Sequence, residues 1–237
     1  MRLIRPPGVY APQADSALLM DCLAREELGP GDRALDLCTG TGVVALAAAR
    51  VGADVTAIDI SRAAVAAARF NARFHGARIR IKRGDLAAPV AGERFDVVTV
   101  NPPYVPSASS RAPTRGRGRS WDAGRDGRLL LDRICRLIPS ILAPHGVLLI
   151  VQSSLAGVGA SLLALRREGL LPARVVARRR EPFGPVMTAR AGWFEERGLV
   201  APGTRSEELV VIRTVRAGAA GAKAGTTPRP VVRPAGG

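Results

Sequence analysis

Short apolar runs bounded by glycine, proline or polar residues recur along most of the chain. Runs of this length with β-branched residues predict buried strands. Seven are predicted, at Arg33–Cys38, Val55–Ile60, Arg78–Lys82, Phe95–Val100, Gly146–Val151, Arg174–Arg179 and Glu208–Arg213. The third run alternates between basic and apolar residues, which is typical of a strand at the edge of a sheet.

Stretches with apolar residues at helical spacing lie between several of these runs. They predict helices at Val43–Arg50, from the N-cap Ser61 to about Phe74, at Arg128–Leu142 and at Leu155–Glu168. Strands separated by helices imply an α/β fold with a mostly parallel sheet covered on both faces. Ligands of such sheets bind at the carboxyl ends of the strands, so the chemistry is expected at that edge.

The length and composition favour one globular domain with appendages. The chain has 237 residues, of which 47% are hydrophobic, and its longest apolar runs are too short to cross a membrane. Residues 1–10 lack the apolar segment of a signal peptide. The three cysteines are odd in number and widely spaced, so they predict neither a disulfide framework nor a metal site, and they favour a cytoplasmic location.

The charge is strongly basic, with 35 basic against 20 acidic side chains and a formal net charge of +15. Only Lys82 and Lys223 are lysines, and this excess of arginine is also typical of a GC-rich coding sequence. Residues 217–237 are predicted to be a disordered basic tail, and Pro106–Arg119 a mobile basic loop. The predicted domains are therefore an N-terminal segment (1–32), a catalytic domain (33–216) and the tail.

A glycine-rich loop follows the first predicted strand. Gly40 and Gly42 allow a sharp turn and a close approach of the backbone to a ligand, and a helix begins at once. Asp59 ends the second strand, where a carboxylate can accept both hydroxyls of a ribose. This pattern also matches the fingerprint of a dinucleotide-binding loop, so by itself it leaves the cofactor open.

Asp36 distinguishes between the two kinds of ligand. A carboxylate four residues before Gly40 repels a pyrophosphate and attracts an ammonium group. The segment resembles the motif of class I S-adenosylmethionine-dependent methyltransferases, which have a Rossmann-like seven-stranded fold. The resemblance implies that Asp36 lies near the methionine end of S-adenosyl-L-methionine, Asp59 at the ribose and Asp85 near the adenine. The implied cofactor site also includes Thr39, Gly40, Thr41, Gly42, Ile60, Leu86 and Asn101.

The tetrapeptide Asn101-Pro102-Pro103-Tyr104 follows the fourth strand, next to the glycine loop in an α/β sheet. A shuffled chain of this composition contains it with a probability of about one in ten thousand, so chance is a poor explanation. An asparagine carbonyl and a proline backbone carbonyl can both accept hydrogen bonds from an NH2 group. These bonds hold a poorly nucleophilic nitrogen and strengthen as positive charge develops on it. Tyr104 offers a flat surface for the planar group.

Two further segments narrow the resemblance to the HemK-related protein-glutamine methyltransferases, in their short eukaryotic and archaeal branch. The segment from Val9 to Leu19 resembles the family's VYxPxxDSxLL motif, and Ser120–Arg133 its AWxGGxxGxxxxDR motif. Ala14 and Ala123 depart from the usual acid and glycine, and Cys38 stands at a variable position. The resemblance covers about residues 8–215.

Membership of this family implies specific roles and partners. Asn101, Pro102, Pro103 and Tyr104 would be catalytic, and Asp15, Ser16, Tyr104 and Trp121 would bind the substrate. The implied substrate is a glutamine in the Gly-Gly-Gln loop of a translation release factor. The resemblance also implies a small activating subunit, and with about 30 residues before the first strand the chain is expected to lack the helical recognition domain of longer members.

Other functions remain open at this point. Six arginines between Arg111 and Arg128 could contact phosphates, so an amino-methyltransferase of RNA or DNA is the main alternative. The architecture also permits a small-molecule acceptor, a nicotinamide-dependent oxidoreductase or a binding protein without activity. Asp36 and the NPPY tetrapeptide argue against the oxidoreductase.

Overall fold

The structure, a computed structural model, describes residues 1–111, 113 and 116–218, and for Arg117 the backbone alone. The predicted disordered tail lies outside the described residues from position 219 onward. Within the predicted mobile loop, Arg117–Ser120 form a short 3-10 turn, so at this end the chain is more regular than its composition indicates.

Seven strands form a single sheet in the order β3-β2-β1-β4-β5-β7-β6. The first five strands are parallel to one another, whereas β7 runs antiparallel to β5 and β6. The bounds are β1 Arg33–Leu37, β2 Asp54–Asp59, β3 Ile79–Arg83, β4 Phe95–Val100, β5 Leu142–Ser153, β6 Arg174–Pro182 and β7 Ser206–Val215. The predicted mostly parallel α/β sheet, with β3 at one edge, is confirmed.

The helices connect these strands and cover the sheet. Their bounds are α1 Ala14–Leu23, α2 Val43–Arg50, α3 Arg62–Phe74, α4 Leu129–Leu137, α5 Val158–Arg167, α6 Pro185–Ala189 and α7 Ala191–Glu196. The predicted N-cap is confirmed, because the Ser61 side chain accepts a hydrogen bond from the Ala64 backbone N–H.

Two predicted helices are too long. The helix predicted to end at Leu142 ends at Leu137 and passes into a 3-10 turn that contains Pro139, because a proline has no N–H to continue the helical ladder. β5 then begins at Leu142. The helix predicted from Leu155 begins at Val158 instead, because Gly157 adopts a φ of 76° and separates it from a preceding 3-10 turn.

The core lies on both faces of the central strands. Residues 148–151 of β5 and 210–212 of β7 are fully buried, as are Phe95 and Phe194. Burial of such side chains supplies the main stabilisation of the sheet. Among the described residues, no helix has both the length and the apolar character to cross a membrane.

Three helices were absent from the sequence prediction. α1 packs against β5 and α2, and α6 and α7 lie within the connection between β6 and β7. β6 ends, and β7 begins, at the edge where the first five strands have their carboxyl ends. This connection therefore stands beside the expected ligand site.

Candidate functional site

A cavity of about 1260 Å³ opens at the carboxyl edge of the sheet. It brings together segments that are far apart in sequence, from the N-terminus to β7. All the predicted site residues except Gly42 line it, namely Asp15, Ser16, Asp36, Thr39, Gly40, Thr41, Asp59, Ile60, Asp85, Leu86, Asn101, Pro102, Pro103, Tyr104 and Trp121.

The glycine loop forms one wall of the cavity. Gly40 has a φ of 56°, and a Cβ atom placed on it would meet open space. Gly42 serves packing instead, because a Cβ atom there would lie 3.2 Å from the Ala68 Cβ atom on α3. Cys38 also has a positive φ, of 58°, and burial raises the pKa of its thiol, so this thiol is a poor nucleophile.

Asp36 is a buried carboxylate beneath this loop. Its oxygens accept hydrogen bonds from the hydroxyls of Thr39, at 2.5 Å, and Thr99, at 2.8 Å. Burial raises the pKa of Asp36 to about 6, against the lowering effect of these two bonds. The carboxylate therefore positions the loop as well as placing negative charge beside the cavity.

Asp59 joins the glycine loop to the start of α3. Its two oxygens accept hydrogen bonds from the backbone N–H groups of Gly40, at 2.9 Å, and Ser61, at 2.8 Å. Burial raises the pKa of Asp59, while those bonds and the charge of Arg119 oppose the rise. Each carboxylate oxygen has a second lone pair, so both can still accept a ligand hydroxyl.

Asp85 lines another part of the cavity. It is half exposed and pairs with Arg133 on α4 at 2.6 Å. The next residue, Leu86, is buried and has a φ of 48°. The three predicted acids therefore lie at the carboxyl ends of three adjacent strands, β1, β2 and β3, and line one cavity.

The buried Asp15 carboxylate organises the opposite end. Its Oδ2 atom accepts hydrogen bonds from the hydroxyls of Tyr10, at 2.8 Å, and Tyr104, at 3.1 Å. Burial and the Asp15 charge raise the pKa of both tyrosines far above the ordinary value, so both remain protonated donors. This arrangement holds the Tyr104 ring by its hydroxyl.

Asn101 is oriented from the same end of the cavity. Its Nδ2 atom donates to the Ser16 hydroxyl oxygen at 3.2 Å, and the Ser16 hydroxyl donates to Asp15 Oδ1 at 3.2 Å. Because the amide nitrogen is directed at Ser16, the amide oxygen is directed away from it. Asn101 lines the cavity, and its oxygen is thus available as an acceptor.

The segment after Tyr104 is joined to the Trp121 segment by backbone pairing. Val105 N–H donates to the Trp121 carbonyl at 2.8 Å, and Ala123 N–H donates to the Val105 carbonyl at 3.0 Å. The Arg190 guanidinium, from between α6 and α7, contacts Asp122 at 2.6 Å and donates to the Pro106 carbonyl at 3.0 Å. These contacts fix the loop that carries Tyr104.

Several cavity residues escaped the sequence prediction. Glu181 lies near the end of β6 and Glu207 near the start of β7, and Arg119 lines the cavity with its charge acting on Asp59. Burial raises the pKa of Glu207, and the charges of Asp15 and Glu181 add to this effect against a hydrogen bond from Ser153. The sequence carried no motif for these positions. For Tyr10 a signal existed, because it stands inside the VYxPxxDSxLL segment.

Comparison with known proteins shows the family to which the chain belongs. The family model of the methyltransferase small domain matches residues 1–114. A protein of Methanocaldococcus jannaschii, provisionally named as a protein N5-glutamine methyltransferase, is 34% identical over 186 residues, which cover 78% of this chain and 92% of that protein. Human methyltransferase HEMK2 is 33% identical over 151 residues, covering 60% of this chain and 71% of HEMK2.

A solved structure has the same fold. The Mtq2–Trm112 complex of E. cuniculi, described as responsible for the methylation of the eRF1 translation termination factor, matches with a TM-score of 0.61 and 23% identity. The match covers 89% of this chain and 99% of that chain. The sheet order and the glycine loop define a Rossmann-like class I methyltransferase. At the level of sequence, the chain belongs to the HemK-related family and is a methyltransferase enzyme.

Gly127 provides a test of how Tyr104 is held. It has a φ of 75°, and a Cβ atom there would lie 2.3 Å from the Tyr104 carbonyl oxygen. We expect Gly127→Ala to lower the unfolding free energy by roughly 1–3 kcal/mol and to displace Tyr104. Thermal unfolding and a methyl-transfer assay would measure both effects.

The matched control is Gly159→Ala on α5. An added Cβ atom at this position meets nothing within 4 Å, and the residue is helical. The substitution is therefore expected to be neutral or slightly stabilising. A Gly127→Ala protein with the melting temperature and activity of the unmodified chain would contradict the proposed contact.

Proposed function

We propose that this protein transfers a methyl group from S-adenosyl-L-methionine to the side-chain amide nitrogen of a protein glutamine. The observation that carries the proposal is the orientation of Asn101, whose amide oxygen is freed by the Ser16 contact within the cavity that the glycine loop also lines. The names of the methanogen relative and of the Mtq2–Trm112 complex support a glutamine in a translation termination factor as the acceptor.

The cofactor half of the cavity fits S-adenosyl-L-methionine. Gly40 leaves space for a close ligand, Asp59 presents two oxygens toward ribose hydroxyls, and Asp36 places negative charge where an ammonium group would lie. When bound, this cofactor supplies a methyl group on a positively charged sulfur. Thr39, Thr41, Ile60, Asp85 and Leu86 complete the proposed cofactor site.

The chain's own residues prepare the acceptor nitrogen. The Asn101 amide oxygen and a proline backbone carbonyl accept hydrogen bonds from the two N–H groups of the glutamine amide. This directs the nitrogen lone pair toward the methyl group. The nitrogen would form a bond to the methyl carbon as the bond between that carbon and the sulfur breaks, and it would then lose one proton to water. Tyr104 packs against the planar amide, with Asp15, Ser16 and Trp121 shaping the surrounding pocket. The positive charge that develops on nitrogen strengthens both hydrogen bonds.

The basic segment supports a protein acceptor better than a nucleic acid. Arg128 donates to the carbonyls of Ala156 and Gly157 and pairs with Asp132 at 2.6 Å. The charge of Arg119 acts on Asp59. Arg128 is thus engaged within the protein, which leaves fewer of the six arginines for phosphate contacts.

A small activating subunit is part of the proposal. Phe70 and Phe74 on α3 form an aromatic patch, with 51% and 58% of their surface exposed and ring centroids 6.3 Å apart. The helix that carries the patch packs against β3, the strand at the edge of the sheet. Exposed aromatic side chains of this kind are typical of a protein interface. The Mtq2–Trm112 complex supplies the precedent for such a subunit.

We further propose that residues 33–216 form the catalytic domain, preceded by the N-terminal segment 1–32 and followed by the tail. The reaction is placed in the cytoplasm. Cys22, Cys38 and Cys135 are free thiols, which fits a reducing compartment.

A methyl-transfer assay tests directly which group accepts the methyl. With labelled S-adenosyl-L-methionine, we expect label in a protein that carries a Gly-Gly-Gln loop, and none when its glutamine is replaced by alanine. Asn101→Ala is expected to lower the rate by about 100-fold or more, because one acceptor that acts in the transition state is lost. Ser16→Ala should lower it about tenfold, because the amide is no longer oriented.

RNA and DNA serve as competing acceptors in the same assay. Label in nucleic acid and none in protein would replace the glutamine substrate by the main alternative. An Asn101→Ala protein with an undiminished rate would overturn the role given to Asn101.

The pKa of Asp36 predicts how cofactor binding depends on pH. Asp36 is neutral at pH 5 and ionised at pH 7, because burial raises its pKa to about 6. The ammonium group of S-adenosylhomocysteine should therefore bind more tightly as the pH rises through about 6. Thermal shift with this ligand would increase over that range, and Asp36→Asn would abolish the increase.

The stability of the ligand-free protein is expected to follow the opposite trend with pH. A folded-state pKa above the unfolded value of 3.8 gives a stability contribution that is full below pH 3.8 and is lost as the pH rises through about 6. NADH serves as the control ligand. A larger thermal shift with NADH than with S-adenosylhomocysteine would contradict the proposed cofactor.

The aromatic patch predicts how the subunit binds. Titration with a Trm112-type protein should raise the melting temperature and the methyl-transfer rate. The double variant Phe70→Asp/Phe74→Asp should weaken binding of the subunit at least about tenfold, because charged side chains replace aromatic surface that the subunit would bury. Leu163→Asp, at an exposed apolar position on α5, is the control. Full activity without the subunit, and no shift on its addition, would refute the proposal.

A further inference from the structure

Part of the N-terminal segment forms a wall of the cavity beside α3. Residues 2–10, here called the N-terminal arm, lie along α3 and contribute Arg5, Pro7, Gly8, Val9 and Tyr10 to the cavity lining. The cavity is thus enclosed on one side by the glycine loop and on another by a segment outside the sheet.

Asn71 on α3 holds this arm. The residue is completely buried, and its amide pairs with the backbone of Ile4 in both directions. Its Oδ1 atom accepts from the Ile4 N–H at 2.8 Å, and its Nδ2 atom donates to the Ile4 carbonyl at 2.9 Å. The Asn71 amide therefore pairs with both backbone groups of Ile4, as a residue of an adjacent strand would in a sheet.

The second donor of the same amide reaches the glycine loop. Asn71 Nδ2 also donates to the Thr41 carbonyl at 2.9 Å, so both of its N–H bonds are used. A single buried side chain therefore joins the arm to the loop that forms the opposite wall. Asn71 does not itself line the cavity, so it can act on a ligand only through the arm and the loop.

Other contacts agree with a closed arm. Val9 is buried and packs against Ala64 and Ala67 on α3. The Ser120 hydroxyl donates to the Gly8 carbonyl at 3.4 Å, and a ring nitrogen of His75 lies 2.8 Å from the Arg2 carbonyl oxygen. Beyond Val9, the arm continues into Tyr10, whose hydroxyl donates to Asp15.

We propose that Asn71 is a positioning residue that holds the N-terminal arm closed over the cofactor cavity and thereby fixes Tyr10 for Asp15. The proposal rests on the proposed function, because it takes S-adenosyl-L-methionine as the ligand beneath the arm. A protein whose arm is closed for only part of the time binds its ligand with an affinity reduced by that fraction. By linkage, a ligand that contacts the arm also stabilises its closed state.

Asn71→Asp tests this role with a side chain of the same shape. The aspartate has no N–H bonds, so the carbonyls of Ile4 and Thr41 lose their donor and face a negative charge. We expect the affinity for S-adenosylhomocysteine to fall about tenfold or more, since buried hydrogen bonds are lost. Hydrogen–deuterium exchange of residues 2–10 should become faster, and the KM for the cofactor should rise more than kcat falls.

Ile4→Pro tests the same contact from the exposed side. A proline at position 4 lacks the N–H that Asn71 accepts, and Ile4 is 46% exposed, so the core is left intact. The same loss of affinity and the same faster exchange are expected. Ile4→Ala keeps the backbone N–H and should weaken binding less than Ile4→Pro does.

Leu165→Ala controls for lost stability. Leu165 is fully buried on α5 and does not line the cavity. Its truncation should lower the melting temperature and leave ligand affinity and arm exchange unchanged. If the two variants of the arm contact bind S-adenosylhomocysteine as tightly as the unmodified chain, the inference is wrong. If the unmodified chain itself fails to bind it, the proposed cofactor fails instead.

Discussion

The buried carboxylate of Asp15 is the constraint on which the substrate end of the cavity depends. A buried charge is tolerated only when donors surround it. Here the donors are the hydroxyls of Tyr10, Tyr104 and Ser16. The Ser16 hydroxyl oxygen in turn accepts a hydrogen bond from the amide nitrogen of Asn101. The buried charge of Asp15 therefore orients both the side-chain amide of Asn101 and the ring of Tyr104. Because these residues come from the arm, α1 and the end of β4, the same charge also joins three parts of the fold.

The basic character of the chain has a different meaning once the side chains are placed. Arg128 and Arg190 bind carbonyl groups and carboxylates of loops next to the cavity. Arg33 and Arg80 share the carboxylate of Glu93, with each contact at 2.6 Å. A guanidinium has five donors and suits such bridging of loop carbonyls and carboxylates. Part of the arginine excess is thus structural, and the net charge by itself is a weak argument for a nucleic-acid substrate.

Much of the fold and of the candidate site follows from local signals. The sequence pattern predicts all seven strands, most of them from continuous apolar segments of the kind that buried strands need, and β3 from its alternation at the edge of the sheet. Likewise, the NPPY tetrapeptide and the acids at strand ends are predicted to converge, and they line one cavity. The errors have local causes as well. Pro139 ends a helix earlier, and Gly157 begins one later, than the apolar spacing alone predicts. Helices α6 and α7 are too short to have a clear period.

The sequence by itself determined the sheet, the glycine loop, the three acids and the NPPY tetrapeptide, because each is a short segment whose chemistry is complete within a few residues. Only the tertiary structure decided which groups hold these segments. Asn71 bonds to Ile4 and Thr41, 67 and 30 positions away, and Tyr104 reaches Asp15 across 89 positions. The structure also added Glu207 to the cavity. Such contacts depend on how elements pack, and an isolated asparagine on a helix carries no periodic or motif signal of its partners.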